Sequence, residues 1–260
     1  MIRRAGYRRS VIEDGVIEDS TPIWPQRPAL FLDLDGTVLD FADAPGGVVV
    51  SERVRDLLGR LHAVTGGAIA FVSGRTMDDL DHLLAPHKFA VAAVHGLELR
   101  DGEGRITRAE VDSERLVEIG QSLDRFVRQN PETLLEHKGA SLALHYRKRP
   151  ELEEAAIALV EETLAELGSN LQVLRGNKVI EIKPEGGNKG SAIARFMKDP
   201  PFNDRTPVFI GDDATDEDGF RTVNALGGVS VKVNSGESAA ATRLPDVDAV
   251  LHWLEALLSS

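Results

Sequence analysis

Among the stretches of this chain that are apolar without alternation, three end abruptly in acidic or hydroxyl-bearing segments. They are Ala29-Leu30-Phe31-Leu32 before Asp33, Ala68-Ile69-Ala70-Phe71-Val72 before Ser73-Gly74-Arg75, and Val208-Phe209-Ile210 before Gly211-Asp212-Asp213. A strand-length run with no polar face suits a strand covered on both sides, as in a parallel sheet flanked by crossover helices. In open sheets of that kind ligands bind at the carboxyl ends of the strands, near a switch in strand order. Asp33, Ser73 and Asp212 can therefore share one crevice, however far apart they lie in the chain.

The intervening segments fit that grammar. Ser51 is placed to cap a helix that puts Val54, Leu57, Leu58 and Leu61 on one face. A helix from Thr76 to Leu84 stops before Pro86, and a third strand runs from Phe89 to Val94. Leu97 to Thr107 reads as a hairpin about a glycine turn. The rhythm then changes. Helices over about 116–127 and 151–167, the second closed by Gly168, alternate with strand-like segments at 133–138, 141–147, 171–174 and 178–183. The parallel pattern returns with a helix over 188–198. Thr215 with Asp218 resembles a capping box, Val229 to Val233 reads as an edge or half-buried strand, and Asp246 to Leu258 as a closing helix. The expected class is α/β, a Rossmannoid parallel-sheet core over 26–108 and 183–260 interrupted by an α+β insert over 109–182, with residues 1–25 as a loosely held lead-in.

Composition narrows the functional classes. A net charge of -12 disfavours nucleic acid and anionic membrane as partners. There is no cysteine, which removes disulfides, thiolate metal sites and cysteine nucleophiles. The first twenty residues are charged and lack an apolar signal region, and no apolar run reaches membrane-spanning length. A cytoplasmic protein, monomeric or weakly self-associating, is expected.

The chemistry concentrates at four places. Asp33-Leu34-Asp35-Gly36-Thr37 places two carboxylates at a buried strand end, where they would partly protonate unless a cation offset them. A hard, oxygen-rich site suits Mg²⁺, with Asp33, Asp35 and Asp212 as ligands. Asp33 can then attack phosphorus and Asp35 serve as acid and then base, while Gly36 turns the chain and Thr37 binds phosphoryl oxygen. An Asx turn would explain the segment blandly. A calcium loop would not, because the twelfth position from Asp33 is Ala44 rather than Glu. Five acidic residues lie between Asp212 and Asp218; the helix dipole accounts for those after Thr215 but not for a buried strand running into two aspartates. Asp213 and Asp216 are candidates to act on the metal through water or to hold Lys189. Ser73 and Gly74 form a candidate phosphate cradle at a helix start. Lys189, after a glycine pair, can reach the transferred phosphoryl group as a point charge.

Taken together and in this order, the four segments resemble the haloacid dehalogenase superfamily of phosphatases, with the insert placed as in the C2 type of cap. More narrowly, the chain resembles the trehalose-6-phosphate phosphatases. That resemblance rests on Phe31 to Thr37, Val72 to Arg75, His95-Gly96, Glu136 to Gly139, Leu144 to Arg147, Glu181 to Pro184, Asn188 to Gly190 and Gly211 to Glu217. It implies Mg²⁺-dependent hydrolysis of trehalose 6-phosphate, a sugar phosphate, through an aspartyl-phosphate. It also implies sugar contacts from Glu136, Lys138 and Glu181, with Arg147 and Arg75 nearby, under a cap that closes on substrate. One departure is Asn177, where the family often carries lysine; the neighbouring Lys178 would point to the opposite face of its strand. The rival expectations are another sugar-phosphate phosphatase of the same fold, of the sucrose-phosphate or mannosyl-3-phosphoglycerate type, and a non-catalytic sugar-phosphate-binding module.

Overall fold

The computed structural model describes residues 22–40, 48–167, 170–176 and 178–259. Gly168, Asn177 and residues 1–21 of the expected lead-in lie outside them.

The first strand, β1 (Pro28–Leu32), is buried throughout and lies at the centre of the larger sheet. It sends Leu30 and Leu32 to one core and Ala29 and Phe31 to the other, as the twofold alternation of a strand requires. Helix α1 (Glu52–Val64) starts where Ser51 Oγ accepts the Val54 N–H, and it buries the predicted Val54, Leu57, Leu58 and Leu61. It leads to β2 (Ile69–Val72), α2 (Met77–Leu84), capped by Thr76, and β3 (Ala90–Ala93). β4 (Glu98–Arg100) and β5 (Ile106–Arg108) form the expected hairpin and extend the same sheet with antiparallel pairing.

A smaller antiparallel sheet follows. Helix α3 (Ser113–Gln129) precedes β6 (Leu134–His137) and β7 (Leu142–His145). Helix α4 (Glu153–Leu167) precedes β8 (Leu171–Gly176) and β9 (Val179–Pro184), and the strand order is β6-β7-β9-β8. Leu116, Ile119 and Leu123 of α3 and Ala156 and Val160 of α4 share a separate core with Leu144, Tyr146, Ile180 and Ile182. Four residues beyond β9 the chain is back at the larger sheet. Gly186 turns it at φ 95°, and Asn188 caps α5 (Lys189–Phe196) through the Ser191 N–H.

β10 (Thr206–Gly211) pairs with the other edge of β1, so strand order reverses between β1→β2 and β1→β10. That is the switch point at which a crevice opens. α6 (Glu217–Ala225), β11 (Val229–Val233), β12 (Thr242–Leu244) and α7 (Val247–Leu257) complete the order β12-β11-β10-β1-β2-β3-β4-β5. Two expectations need correction. β11 is not an edge strand: β12 covers it, a three-residue element too short to carry a periodic signal. Thr215 does not cap α6. Asp213 accepts both the Thr215 N–H (2.8 Å) and its hydroxyl (2.7 Å), because a carboxylate two residues upstream is the stronger acceptor. At the near terminus Trp24 stacks on Trp253, with ring centroids 3.9 Å apart, and the two indoles donate to Trp253 and Pro22 carbonyls.

Candidate active site

The crevice at the carboxyl ends of β1 and β10 is built around one buried lysine. Lys189, the first residue of α5, places Nζ 3.0 Å from Asp33 Oδ1 and 2.7 Å from Asp216 Oδ1. Asp33 leaves β1 with its N–H donated to Ile210 of β10, which fixes the carboxylate between the two strands. Asp216 turns back onto its own loop, where Oδ2 accepts the N–H groups of Asp212 and Asp213 at 2.9 Å each. Only glycine fits at position 211, since a Cβ there would lie 2.3 Å from Asp216 Cγ. One oxygen each from Asp33, Asp212 and Asp216 lies within 4.8 Å of the others.

The electrostatics of the cluster favour a cation. Burial first, and then Asp213 and Asp212, push the Asp33 carboxyl up to about 7 against the pull of Lys189. Burial, Asp216 and Asp213 raise Asp212 to about 7. Burial alone would lower Lys189, but Asp216 and Asp33 hold it above its ordinary range, so it remains charged. Two ammoniums, Lys189 and the Lys232 that donates to the Asp212 carbonyl, set against four carboxylates leave a surplus of negative charge that a divalent cation would offset. The donor set is all oxygen, which fits Mg²⁺.

Not every predicted ligand joins this group. The Asp35 carboxylate is outside it, because Arg75 grips both its oxygens, Nε–Oδ2 at 2.7 Å and Nη2–Oδ1 at 2.6 Å. Asp216 stands in the cluster instead, and as expected it holds Lys189. Thr37 is fully buried on the tight turn that Gly36 allows at φ 76°, and its hydroxyl has no protein partner. A buried hydroxyl left unpaired costs about 1–3 kcal/mol, which a phosphoryl oxygen would recover. Ser73 Oγ accepts the Arg75 N–H at 3.2 Å and shapes the turn after β2.

Above this floor the smaller sheet contributes a second group. Glu181 of β9 accepts from Ser141 Oγ (2.7 Å) and Lys138 Nζ (3.2 Å), and Lys138 also donates to the Gly74 carbonyl at 3.1 Å. Burial would raise the Glu181 carboxyl, but His95 and Lys138 hold it down to about 2. Glu136 pairs with His145 at 2.8 Å, and this bond lowers its pKa. Arg147 is not brought to this group: it is exposed on the turn after β7, four residues past the Ala143 that faces Glu181. Lys178 pairs with Glu153 at 3.0 Å, away from Lys138 and Glu181. His95 and Ser141 are contacts that the sequence did not assign. His95 belongs to a noted dipeptide, whereas nothing marks Ser141.

A depressed carboxyl pKa adds stability above its unfolded value and loses it on acidification. From about pH 4.5 down to about 2 the stability that the Glu181 contacts supply is therefore lost. Urea unfolding across acidic pH is expected to show a shallower pH slope in Glu181→Gln than in wild type.

A parallel sheet with an acidic crevice at its switch point, a buried lysine between two aspartates, and an inserted α+β cap define a phosphatase of the haloacid dehalogenase superfamily. The fold matches the C-terminal domain of C. albicans trehalose-6-phosphate phosphatase with a TM-score of 0.80 at 22% identity, over 90% of this chain and 93% of that one. A phosphatase of the same superfamily from Bacteroides thetaiotaomicron matches with a TM-score of 0.60 at 18% identity, over 92% and 98% of the two chains. The trehalose-phosphatase family model matches residues 31–248, and the chain belongs to that family. It is 41% identical over 240 residues to trehalose-6-phosphate phosphatase of Escherichia coli (strain K12), covering 92% of this chain and 90% of that protein. It is 40% identical over 234 residues to a probable trehalose-phosphate phosphatase of Sinorhizobium fredii, covering 88% and 87%. Among the described residues no helix is long and apolar enough to cross a membrane.

Proposed function

We propose that the chain hydrolyses trehalose 6-phosphate to trehalose and inorganic phosphate, with Asp33 as the residue that takes up the phosphoryl group. The observation that supports this most is the position of Asp33: buried at the switch point, 3.0 Å from Lys189, and below the Lys138–Glu181 group of the smaller sheet. An Asp33 oxygen forms the new bond to phosphorus as the bond to the sugar oxygen breaks, and Asp35 passes a proton to that leaving oxygen. Water then attacks the aspartyl-phosphate, giving its proton to Asp35, and phosphate departs with Asp33 restored. Arg75 occupies both Asp35 oxygens, so proton transfer requires one of them to be released to the sugar oxygen. Lys189, Thr37 and the Ser73-Gly74 turn receive the phosphoryl oxygens. Mg²⁺, held by Asp33 and Asp212, would supply charge neutralisation of the phosphoryl group. Glu136, Lys138 and Glu181 would meet the sugar hydroxyls, to which carboxylates and an ammonium are suitable partners. The smaller sheet with α3 and α4 would act as a cap that admits the sugar, excludes water and opens to release product, in a monomer or weak oligomer of the cytoplasm.

The test is phosphate release from a panel of sugar phosphates, with and without chelator. Trehalose 6-phosphate is expected to lead the panel by at least about tenfold in kcat/KM, a margin that a few sugar hydrogen bonds supply. Activity is expected to vanish in EDTA and return with Mg²⁺. Equal turnover of sucrose 6-phosphate or mannosyl-3-phosphoglycerate would remove the substrate assignment, and full activity in EDTA would remove the metal.

A further inference from the structure

The turn after β3 carries three successive residues in the left-handed region, Val94 at φ 48°, His95 at 54° and Gly96 at 95°. A buried β-branched residue there is an outlier, and such positions are strained unless the surroundings over-determine them. Here the surroundings do. The Val94 N–H donates to the Arg75 carbonyl and the His95 N–H to that of Ser73, both at 2.9 Å. The turn is thus strapped to the Ser73-Gly74-Arg75 loop, and what it presents is the His95 ring. That ring lies so close over Gly74 that a Cβ at position 74 would sit 2.4 Å from Nε2. On its other side Nε2 meets Glu181 Oε2 at 3.3 Å.

We infer that His95 is a positioning residue for the sugar-binding carboxylate: from the larger sheet it orients Glu181 of the smaller one, so that closure of the cap and assembly of the sugar site are a single event. This rests on the functional reading above. The charged groups facing the ring are Glu181 and Lys138 from the smaller sheet, Lys189 at the start of α5 and Asp213 after β10. A carboxylate only accepts, so Nε2 carries the hydrogen, and Nδ1 is buried without a partner. Burial disfavours a second proton against the pull of Glu181, so the ring acts as a neutral donor. Such a donor fixes the direction of Glu181 without cancelling its charge, leaving the carboxylate free to accept sugar hydroxyls. Lys138 makes the parallel crossing to the Gly74 carbonyl. Both crossings end at residue 74 or its neighbour across the turn, and they form or part together.

The experiment compares two substrates, trehalose 6-phosphate and p-nitrophenyl phosphate, which has no sugar for Glu181 to meet. His95→Asn suits the left-handed backbone but is too short to reach Glu181, and His95→Gln restores a donor near the position of Nε2. His95→Asn is expected to lower kcat/KM for trehalose 6-phosphate about 10- to 100-fold, mostly through KM, the effect of losing one hydrogen bond to a charged group. Turnover of p-nitrophenyl phosphate should stay within about threefold, and His95→Gln should recover most of the loss. In a Glu181→Gln background, His95→Asn should change trehalose 6-phosphate turnover by less than about threefold. Equal losses on both substrates, or an undiminished effect in that background, would overturn the inference and leave His95 as a support of the phosphate loop alone. Wild-type turnover of trehalose 6-phosphate reports separately on the functional reading.

Discussion

Asp33→Asn is expected to abolish turnover of trehalose 6-phosphate, with kcat reduced by about 10⁴-fold or more while the protein still folds. The magnitude follows from the role: a nucleophile has no understudy, and deleting one removes the covalent step outright. The fold should survive because the change relieves crowding. Burial, Asp213 and Asp212 already press the Asp33 carboxyl up to about 7, so an uncharged amide is tolerated where the carboxylate was not at ease. Single-turnover phosphate release and a thermal melt, run on the same preparation, check both halves. A variant that melts with wild type and still turns over at a tenth of its rate would show that phosphate does not pass through residue 33.

The second large effect is on stability. Lys189→Met should destabilise the protein by about 3–5 kcal/mol, the range seen when one partner of a buried ion pair is removed. Lys189 is the cation common to Asp33 and Asp216, and Asp216 in turn holds the N–H groups of Asp212 and Asp213. Methionine keeps the volume and deletes the charge, leaving these carboxylates facing one another. The expected signature is a lowered urea midpoint in chelator that Mg²⁺ partly restores, because a cation bound to the folded state offsets the same repulsion. An unchanged midpoint in chelator would mean that the carboxylates are already neutral and that Lys189 holds nothing together. Lys189→Arg should recover little, since a planar fork does not fit a cavity shaped for a point charge.

How far the sequence carried these conclusions depended on the kind of signal. β1, β2 and β10 were legible because they are covered on both faces, and α1 because its cap and its buried stripe agree. The convergence of Asp33 and Asp212 followed from one topological rule about strand ends, and the reach of Lys189 from its place at a helix start after a glycine pair. What escaped were features that depend on side-chain direction or on very short elements. β12 has three residues and no period. Asp35 reads as a metal ligand by proximity, but a bidentate arginine forty positions away claims it, and no spacing in the chain announces that pairing. Arg147 sits in a noted motif yet faces solvent, because β7 has carried the chain past the site before residue 147 is reached. The strained turn at Val94 was hidden for a related reason: Val favours strands, and only packing forces it into a left-handed conformation.

The short return from β9 to α5 has a mechanical consequence. Pro184 closes the smaller sheet and Lys189 opens the helix beneath the crevice, so any tilt of the upper body reaches the lysine through four residues. Those residues are built as a fuse. Gly186, with open space about it, yields most easily, while the Asn188–Ser191 box clamps the helix end and Lys183 ties its ammonium to the Gly187 carbonyl. Rocking of the proposed cap would thereby be spent at Gly186, and the charge beside Asp33 would stay still while the roof above it moved.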